Sequence, residues 1–278
     1  MSRIKQTFAA LRRRNEAALV PFIMAGDPDL DVTRALLLEA AEAGADLIEL
    51  GVPFSDPTAD GPVIQRAGLR ALAHRTSLRQ ILELVAELRR GGFTTPIILF
   101  GYYNPIFHYG PPRLVEDAQR AGVDALLVVD LPPEEADELW QPARAAGLDI
   151  IFLLAPTSDR SRVRAVVRKA SGFVYFVSMT GVTGSKAIDA GEVQRMVGEL
   201  RADCRLPIGV GFGISTPAEA AAVAGYADAV VVGSALVRLI ETNAGSPGLV
   251  SEIGGFLRAL KGACRRSSDV AAVATVPQ

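Results

Sequence analysis

Short runs rich in Val, Ile, Leu and Phe, closed by Gly, Pro, Asp or Ser, recur at 19–24, 46–50, 96–102, 125–129, 149–154, 173–178, 207–212 and 229–233. Runs of this length and composition predict eight buried strands. Between them, apolar positions fall three and four apart in helix-forming segments, predicting helices over 32–43, 78–90, 113–121, 133–146, 160–170, 192–202 and 217–224. Three of these end alike, in Ala43-Gly44-Ala45-Asp46, Ala121-Gly122-Val123-Asp124 and Ala146-Gly147-Leu148-Asp149, where glycine supplies a left-handed cap before the next strand. Strict strand–helix alternation predicts a parallel sheet with right-handed crossovers. Eight units without a long linker favour the α/β class and a closed (β/α)8 TIM barrel over an open doubly wound sheet, and Gly26-Asp27-Pro28 is no dinucleotide fingerprint. One extra N-terminal helix and a long connection between the second and third strands are additions to that plan. Residues 1–265 are read as one barrel domain and 266–278 as an unstructured C-terminal tail.

The second strand carries an anomaly. Leu47-Ile-Glu-Leu-Gly51 places a carboxylate inside an apolar run, and an unpaired buried carboxylate costs several kcal/mol or more. Barrel strands point alternate residues inward, so Leu47, Glu49 and Gly51 share the inner face while Ile48 and Leu50 pack against helices. Glu49 lies near the C-terminal strand end, where barrel active sites are built, and the loop carrying Asp56 and Asp60 springs from the same end. This predicts a carboxylate at the floor of a pocket.

Strand seven runs into Gly209-Val-Gly-Phe-Gly213, and strand eight into Val231-Val-Gly-Ser234 followed by a helix beginning at Ser234. Glycines let backbone N–H groups close on an anion, and the helix adds its dipole. Thr180-Gly-Val-Thr-Gly-Ser185 is a third glycine-rich loop, long enough to close over a ligand. The large residues that share the inward parity are Phe22, Phe100, Leu127, Val129, Leu153, Tyr175 and Phe212. Two fates suit them: filling the barrel, or walling a slot for a flat aromatic ligand beside a phosphate. Asp27 and Asp130 also sit at strand ends but read as turn and helix-capping residues. His74 and His108 stand away from strand ends.

Composition narrows the chemistry. The net charge of −2 argues against broad nucleic-acid binding, and no apolar run reaches the length of a membrane span. Two histidines and two distant cysteines offer no ligand spacing for a metal. Cys204 and Cys264 lack a pairing pattern and no secretory leader is apparent, so a cytoplasmic protein with free thiols is expected. Only Lys5, Lys169, Lys186 and Lys261 are present, none within a predicted strand, which leaves a Schiff-base aldolase without a nucleophile.

Four stretches, LIELGVPFSDPTADGPVIQ (47–65), VDALLVVDLPPEE (123–135), FVSMTGVTGSK (176–186) and PIGVGFGIS (207–215), resemble the tryptophan synthase α-subunit family over nearly the whole chain. The resemblance implies a (β/α)8 lyase that splits indole-3-glycerol phosphate into indole and glyceraldehyde 3-phosphate without cofactor or metal. It implies Glu49 and Asp60 as the catalytic pair, Tyr175 lining the site and Thr183 of the closing loop meeting Asp60. Phosphate is implied on Gly184, Gly213, Gly233 and Ser234, and indole among Phe22, Phe100, Leu127 and Phe212. A pyridoxal-phosphate β subunit is the implied partner, facing Pro53, Asp56, Pro57, Asn104 and Pro132, with that cofactor belonging to the partner. Met179 and Thr180 occupy a variable spot, so loop closure here is expected to be tuned differently. A stand-alone lyase releasing free indole, a catalytically silent barrel that activates a partner, and another phosphosugar or indole-glycerol-phosphate barrel are the rival readings.

Overall fold

The computed structural model describes residues 2–177, 190–211 and 213–266. The chain opens with α1 (Arg3–Arg13), whose N-cap Ser2 hydroxyl accepts from the Lys5 N–H. Ile4, Phe8 and Leu11, spaced four and three apart, form its buried stripe and join the cluster inside the barrel with Val20, Leu47 and Phe173. This helix plugs the end of the barrel opposite the candidate site.

Nine strands follow among the described residues: β1 (Ala18–Met24), β2 (Ile48–Gly51), β3 (Ile97–Gly101), β4 (Ala125–Val128), β5 (Asp149–Ile151), β6 (Leu153–Leu154), β7 (Val174–Val177), β8 (Ile208–Gly211) and β9 (Ala229–Val232). All pairings are parallel, in the order β5-β4-β3-β2-β1-β9-β8-β7-β6. The predicted strand 149–154 is therefore two pieces divided at Phe152. Its first half pairs with β4 and its second with β7, so the two ends of the sheet are joined by one residue. The Phe152 carbonyl still accepts the Tyr175 N–H at 3.1 Å, and the sheet curls into a nearly closed barrel.

Around it stand α2 (Leu30–Glu42), α3 (Pro62–Ala73), α4 (Leu78–Arg90), α5 (Tyr103–Tyr109), α6 (Pro111–Ala121), α7 (Asp137–Ala146), α8 (Arg160–Lys169), α9 (Ala190–Asp203), α10 (Pro217–Ala224), α11 (Ser234–Asn243) and α12 (Leu249–Ala263). Periodicity placed α4 and α10 correctly to the residue, whereas α5 and α12 were not expected. The long second connection holds α3, opened by Pro62 at its first position. Gly44 and Gly122 adopt φ of +97° and +90°, the left-handed geometry their position demanded. No described helix is long and apolar enough to cross a membrane.

Aspartates just ahead of the strands knit the bottom of the barrel. Asp46, Asp124 and Asp228 each accept a backbone N–H from the neighbouring strand start, Leu19, Ile97 and Ile208, at 2.8–2.9 Å. Each is matched by a cation: Lys261, Arg89 and Arg201 respectively. Arg89 also donates to the carbonyls of Gly122, Phe93 and Thr95. Removing it strands Asp124, which is 6% exposed, with only the half-exposed Arg3 as counter-charge. Arg89→Ala is expected to lower the unfolding free energy by about 3 kcal/mol, read from urea denaturation. A loss under about 1 kcal/mol, the scale of a surface pair, would overturn that assignment.

Candidate active site

The parity argument places Glu49 inside the barrel, and the register confirms it. Phe22, Glu49 and Ile98 stand side by side on β1, β2 and β3, while Ile48 and Leu50 pack into the outer core. One step along, Gly51 pairs with Phe100. A Cβ at Gly51 would lie 2.6 Å from the Phe22 ring, and one at Gly211 would lie 2.3 Å from the Tyr175 hydroxyl. Glycine at these inward positions therefore makes room for aromatic rings carried by neighbouring strands. Phe22 and Phe100 meet edge to face, with centroids 5.2 Å apart.

Glu49 is 1% exposed, and among the described residues its Oε1 has no hydrogen-bond partner. Burial alone pushes its carboxyl up to about 8. The group is held as a neutral acid at physiological pH, aimed into an apolar chamber.

Asp60 reaches the same chamber from the loop after β2. Local bonds wind that loop: Thr58 N–H to the Asp56 carbonyl at 2.9 Å, Asp60 N–H to the Pro57 carbonyl at 3.1 Å, and Gln65 Nε2 to the Asp60 carbonyl at 2.9 Å. The Tyr102 hydroxyl accepts the Ala59 N–H at 2.9 Å. Burial pushes Asp60 up to about 6, partly offset by its hydrogen bond with Tyr102. Asp60 thus stays ionised at neutral pH where Glu49 does not. Tyr175 lies beside Glu49, and burial together with the Glu49 carboxyl holds its hydroxyl well above the usual phenol range.

A cavity of about 150 Å³ is lined by Phe22, Glu49, Asp60, Ile64, Phe100, Tyr175, Val231, Gly233 and Ser234. Seven residues singled out from the sequence meet there, joined by Ile64 and Val231. Neither was singled out from the sequence: Ile64 lies in the long connection between the second and third strands, where the Gly61-Pro62 helix start was the available signal, and Val231 was noted only as part of the strand end leading to Gly233. Gly233 is the N-cap of α11, and the Val237 N–H already bonds to its carbonyl. The N–H groups of the first turn therefore point into the chamber's mouth. Leu127 is buried in the barrel interior beside Phe100 and Tyr175 but does not border the cavity. Gly213 is exposed at φ +49° after β8, outside the cavity lining. Thr183, Gly184 and Phe212 lie outside the described residues, as do Met179, Thr180 and the tail 267–278.

Other candidates resolve differently. Asp130 is exposed and accepts the Tyr103 N–H at 2.7 Å, so it serves the start of α5, 27 residues away in sequence, rather than the helix that follows it, whose N-cap is Ala136. Asp27 is 2% exposed and chelated by Arg70, so it is more than a turn residue. His74 and His108 are exposed and away from the cavity. Asp56 and Asn104 are exposed, Pro57 and Pro132 half-buried, and Pro53 buried. A larger groove of about 320 Å³ between α8 and α9 carries Arg160, Arg195, Glu199 and Asp203, but no buried carboxylate. The buried carboxyl groups line the smaller chamber.

Comparison with known proteins places the chain in a family. The family model "Tryptophan synthase alpha chain" matches residues 8–253. The chain is 58% identical to the tryptophan synthase alpha chain of Citrifermentans bemidjiense over 261 residues, covering 94% of this chain and 97% of that one. It is 53% identical to that of Gluconacetobacter diazotrophicus over 248 residues, 89% and 90% of the two chains. The crystal structure of the alpha subunit from Legionella pneumophila superposes with a TM-score of 0.89 at 40% identity, covering 95% and 98%. A tryptophan synthase structure from M. tuberculosis gives 0.86 at 33% identity, covering 96% and 100%. With a family match over residues 8–253 and relatives more than half identical over about nine-tenths of the chain, the protein belongs to the tryptophan synthase α-chain family.

Proposed function

We propose that the chain cleaves indole-3-glycerol phosphate to indole and glyceraldehyde 3-phosphate and passes the indole to a pyridoxal-phosphate β subunit that completes tryptophan. The observation that carries this reading is the buried Glu49, whose Oε1 has no hydrogen-bond partner among the described residues and whose carboxyl burial pushes up to about 8, in a chamber that also holds Asp60.

Breaking the bond between indole C3 and the glycerol side chain directly would expel a poor carbanion. Proton transfer from Glu49 to C3 removes that obstacle and leaves an iminium-like ring whose N–H is acidic. Asp60, ionised at neutral pH, stabilises that developing positive charge. The carboxylate left on Glu49 then takes the proton of the side-chain hydroxyl next to C3. The C–C bond breaks, its electron pair restores the aromatic indole, and the hydroxyl becomes the aldehyde. Glu49 ends protonated, as it began, so a carboxyl pKa above neutrality closes the cycle. Phe22, Phe100 and Tyr175 wall the flat ring, with Leu127 behind them in the barrel interior. The N-terminus of α11, at Gly233 and Ser234, receives the phosphate, with Gly213 beside it. Gly184 and Thr183 complete the reading as a phosphate contact and a loop-closing contact to Asp60, and Phe212 as a further wall of the indole slot.

The partner reading is supported by family membership and by the placement of Asp56, Pro57, Asn104 and Pro132 on loops and a helix at the mouth end of the barrel, with the buried Pro53 shaping the first of those loops. A cytoplasmic location belongs to the same proposal, supported by two buried cysteines that remain free.

The test is indole release from indole-3-glycerol phosphate, with and without an added β subunit. Slow release that rises strongly with the partner is expected. Fast release indifferent to the partner would make the chain a stand-alone lyase, and none under either condition a silent barrel. Ser234→Asp, which puts a like charge where the phosphate sits, is expected to raise KM for that substrate by about 10-fold or more while leaving the fold intact. An unchanged KM would move the phosphate elsewhere.

A further inference from the structure

Among the elements that wall the chamber are β1, which supplies Phe22, α3, which supplies Ile64, and α11, which opens at Gly233 and Ser234. Asp60 is joined to α3 directly, since Gly61 is that helix's N-cap. The same three elements are tied by a chain of charges outside the cavity. Asp27, just past the end of β1, accepts from Arg70 Nε at 2.7 Å and Nη2 at 2.8 Å. Arg70, on α3, donates its remaining Nη1 to Glu241 Oε1 of α11 at 2.7 Å. Arg66, one turn earlier on α3, holds Glu241 by two further bonds of 2.8 Å. The partners lie 43 and 171 residues apart in sequence, so nothing local requires the link.

A buried ion pair is a poor way to add stability, because desolvation consumes most of the attraction. It is a good way to fix geometry. Apolar contacts between helices tolerate sliding, whereas a guanidinium fork that chelates one carboxylate and reaches a second allows one separation and one angle. Asp27 is 2% exposed, and the Arg70 fork satisfies both of its oxygens. Arg70 does not border the cavity, so any influence on the reaction passes through the elements it holds.

We propose that Arg70 is a positioning residue: the Asp27–Arg70–Glu241 clamp sets the distance between the phosphate end of the site at α11 and the carboxylate end at Asp60. The proposal rests on the functional reading above. A substrate whose ring and phosphate are covalently joined gains from both ends only if their seats are correctly spaced. Loosening the clamp therefore leaves each seat usable but lowers the reactivity of the joined molecule.

The experiment uses the complex with the β subunit and compares Arg70→Lys, Arg70→Gln and the double variant Asp27→Asn/Arg70→Gln. The double variant leaves no buried unpaired charge and keeps the test open where Arg70→Gln fails to fold. Indole and glycerol phosphate, as separate inhibitors, report the two seats, and indole-3-glycerol phosphate reports their spacing. In the folded variants, kcat/KM for the joined substrate is expected to fall by about 10- to 100-fold, with each half-ligand's inhibition constant within about two-fold of the parent. Arg70→Lys, which keeps the charge but not the fork, is expected to lose rate in the same way. The clamp is overturned by a double variant of parental kcat/KM, or by half-ligand affinities that fall in step with the rate, which marks a merely structural role. The site reading fails separately: glycerol phosphate that binds Ser234→Asp as tightly as the parent removes the phosphate from α11, whatever the Arg70 variants do.

Discussion

Glu49→Gln is expected to reduce indole release by on the order of 10⁴-fold or more while substrate binding stays near the parental value, because one carboxyl both delivers a proton to C3 and removes one from the hydroxyl. Glutamine is nearly isosteric and fits the same apolar surroundings, so the ring and phosphate seats persist. Substrate affinity is read by equilibrium titration and turnover by indole release; retained turnover would falsify the acid–base assignment. The same substitution carries a second signature in stability. Glu49 has its carboxyl raised from 4.5 to about 8 by burial. The unfolded chain releases that proton near pH 4.5 and the folded chain only near 8, so the group's contribution is fully present below 4.5 and is lost progressively as pH rises to 8. Glu49→Gln abolishes this penalty and is expected to stabilise the chain at pH 8 by about 4 kcal/mol relative to its effect at pH 4.5. An equal effect at both pH values would mean that Glu49 ionises in the folded protein as it does in water.

Asp60→Asn is expected to lower kcat by about 10²- to 10³-fold, the typical loss when a preorganised group that stabilises transition-state charge is removed. The parent's pH profile follows from the same two carboxyls. Asp60, raised to about 6, must be ionised, so kcat/KM climbs through that value. Glu49, raised to about 8, must be protonated, so kcat/KM falls as pH passes it. The profile is a bell between about 6 and about 8 whose acid limb disappears in Asp60→Asn. An acid limb unchanged in Asp60→Asn would assign it to another group. Two carboxyls on one pocket take opposite roles because one is wholly enclosed and the other is reached by a tyrosine hydroxyl.

Much of this architecture was legible in residue order. Segments 78–90 and 217–224 emerge as α4 and α10 because a buried helix face repeats every three to four residues. Glu49 announced itself because a charge in an apolar run is costly wherever the run is buried. The division of strand 149–154 was not legible: whether Phe152 continues a ladder depends on neighbouring strands β4 and β7, distant in sequence on either side, not on its own propensity. The helix Leu249–Ala263 was hidden by Gly254 and Gly255, and it forms because Ile253, Leu257 and Leu260 find a surface to cover.

Periodicity and composition by themselves thus determined the strand–helix alternation, the inward face of each strand and the one carboxylate that must have a task, because those are properties of short-range spacing and of the cost of burying charge. Only the tertiary structure decided that Glu49 lacks a partner among the described residues, that Asp60 is enclosed enough to be raised to about 6, and that Asp27 is a chelated anion tied through Arg70 to α11. Desolvation and ion pairing depend on which distant segments arrive at a point in space, and that is settled only when the barrel curls shut.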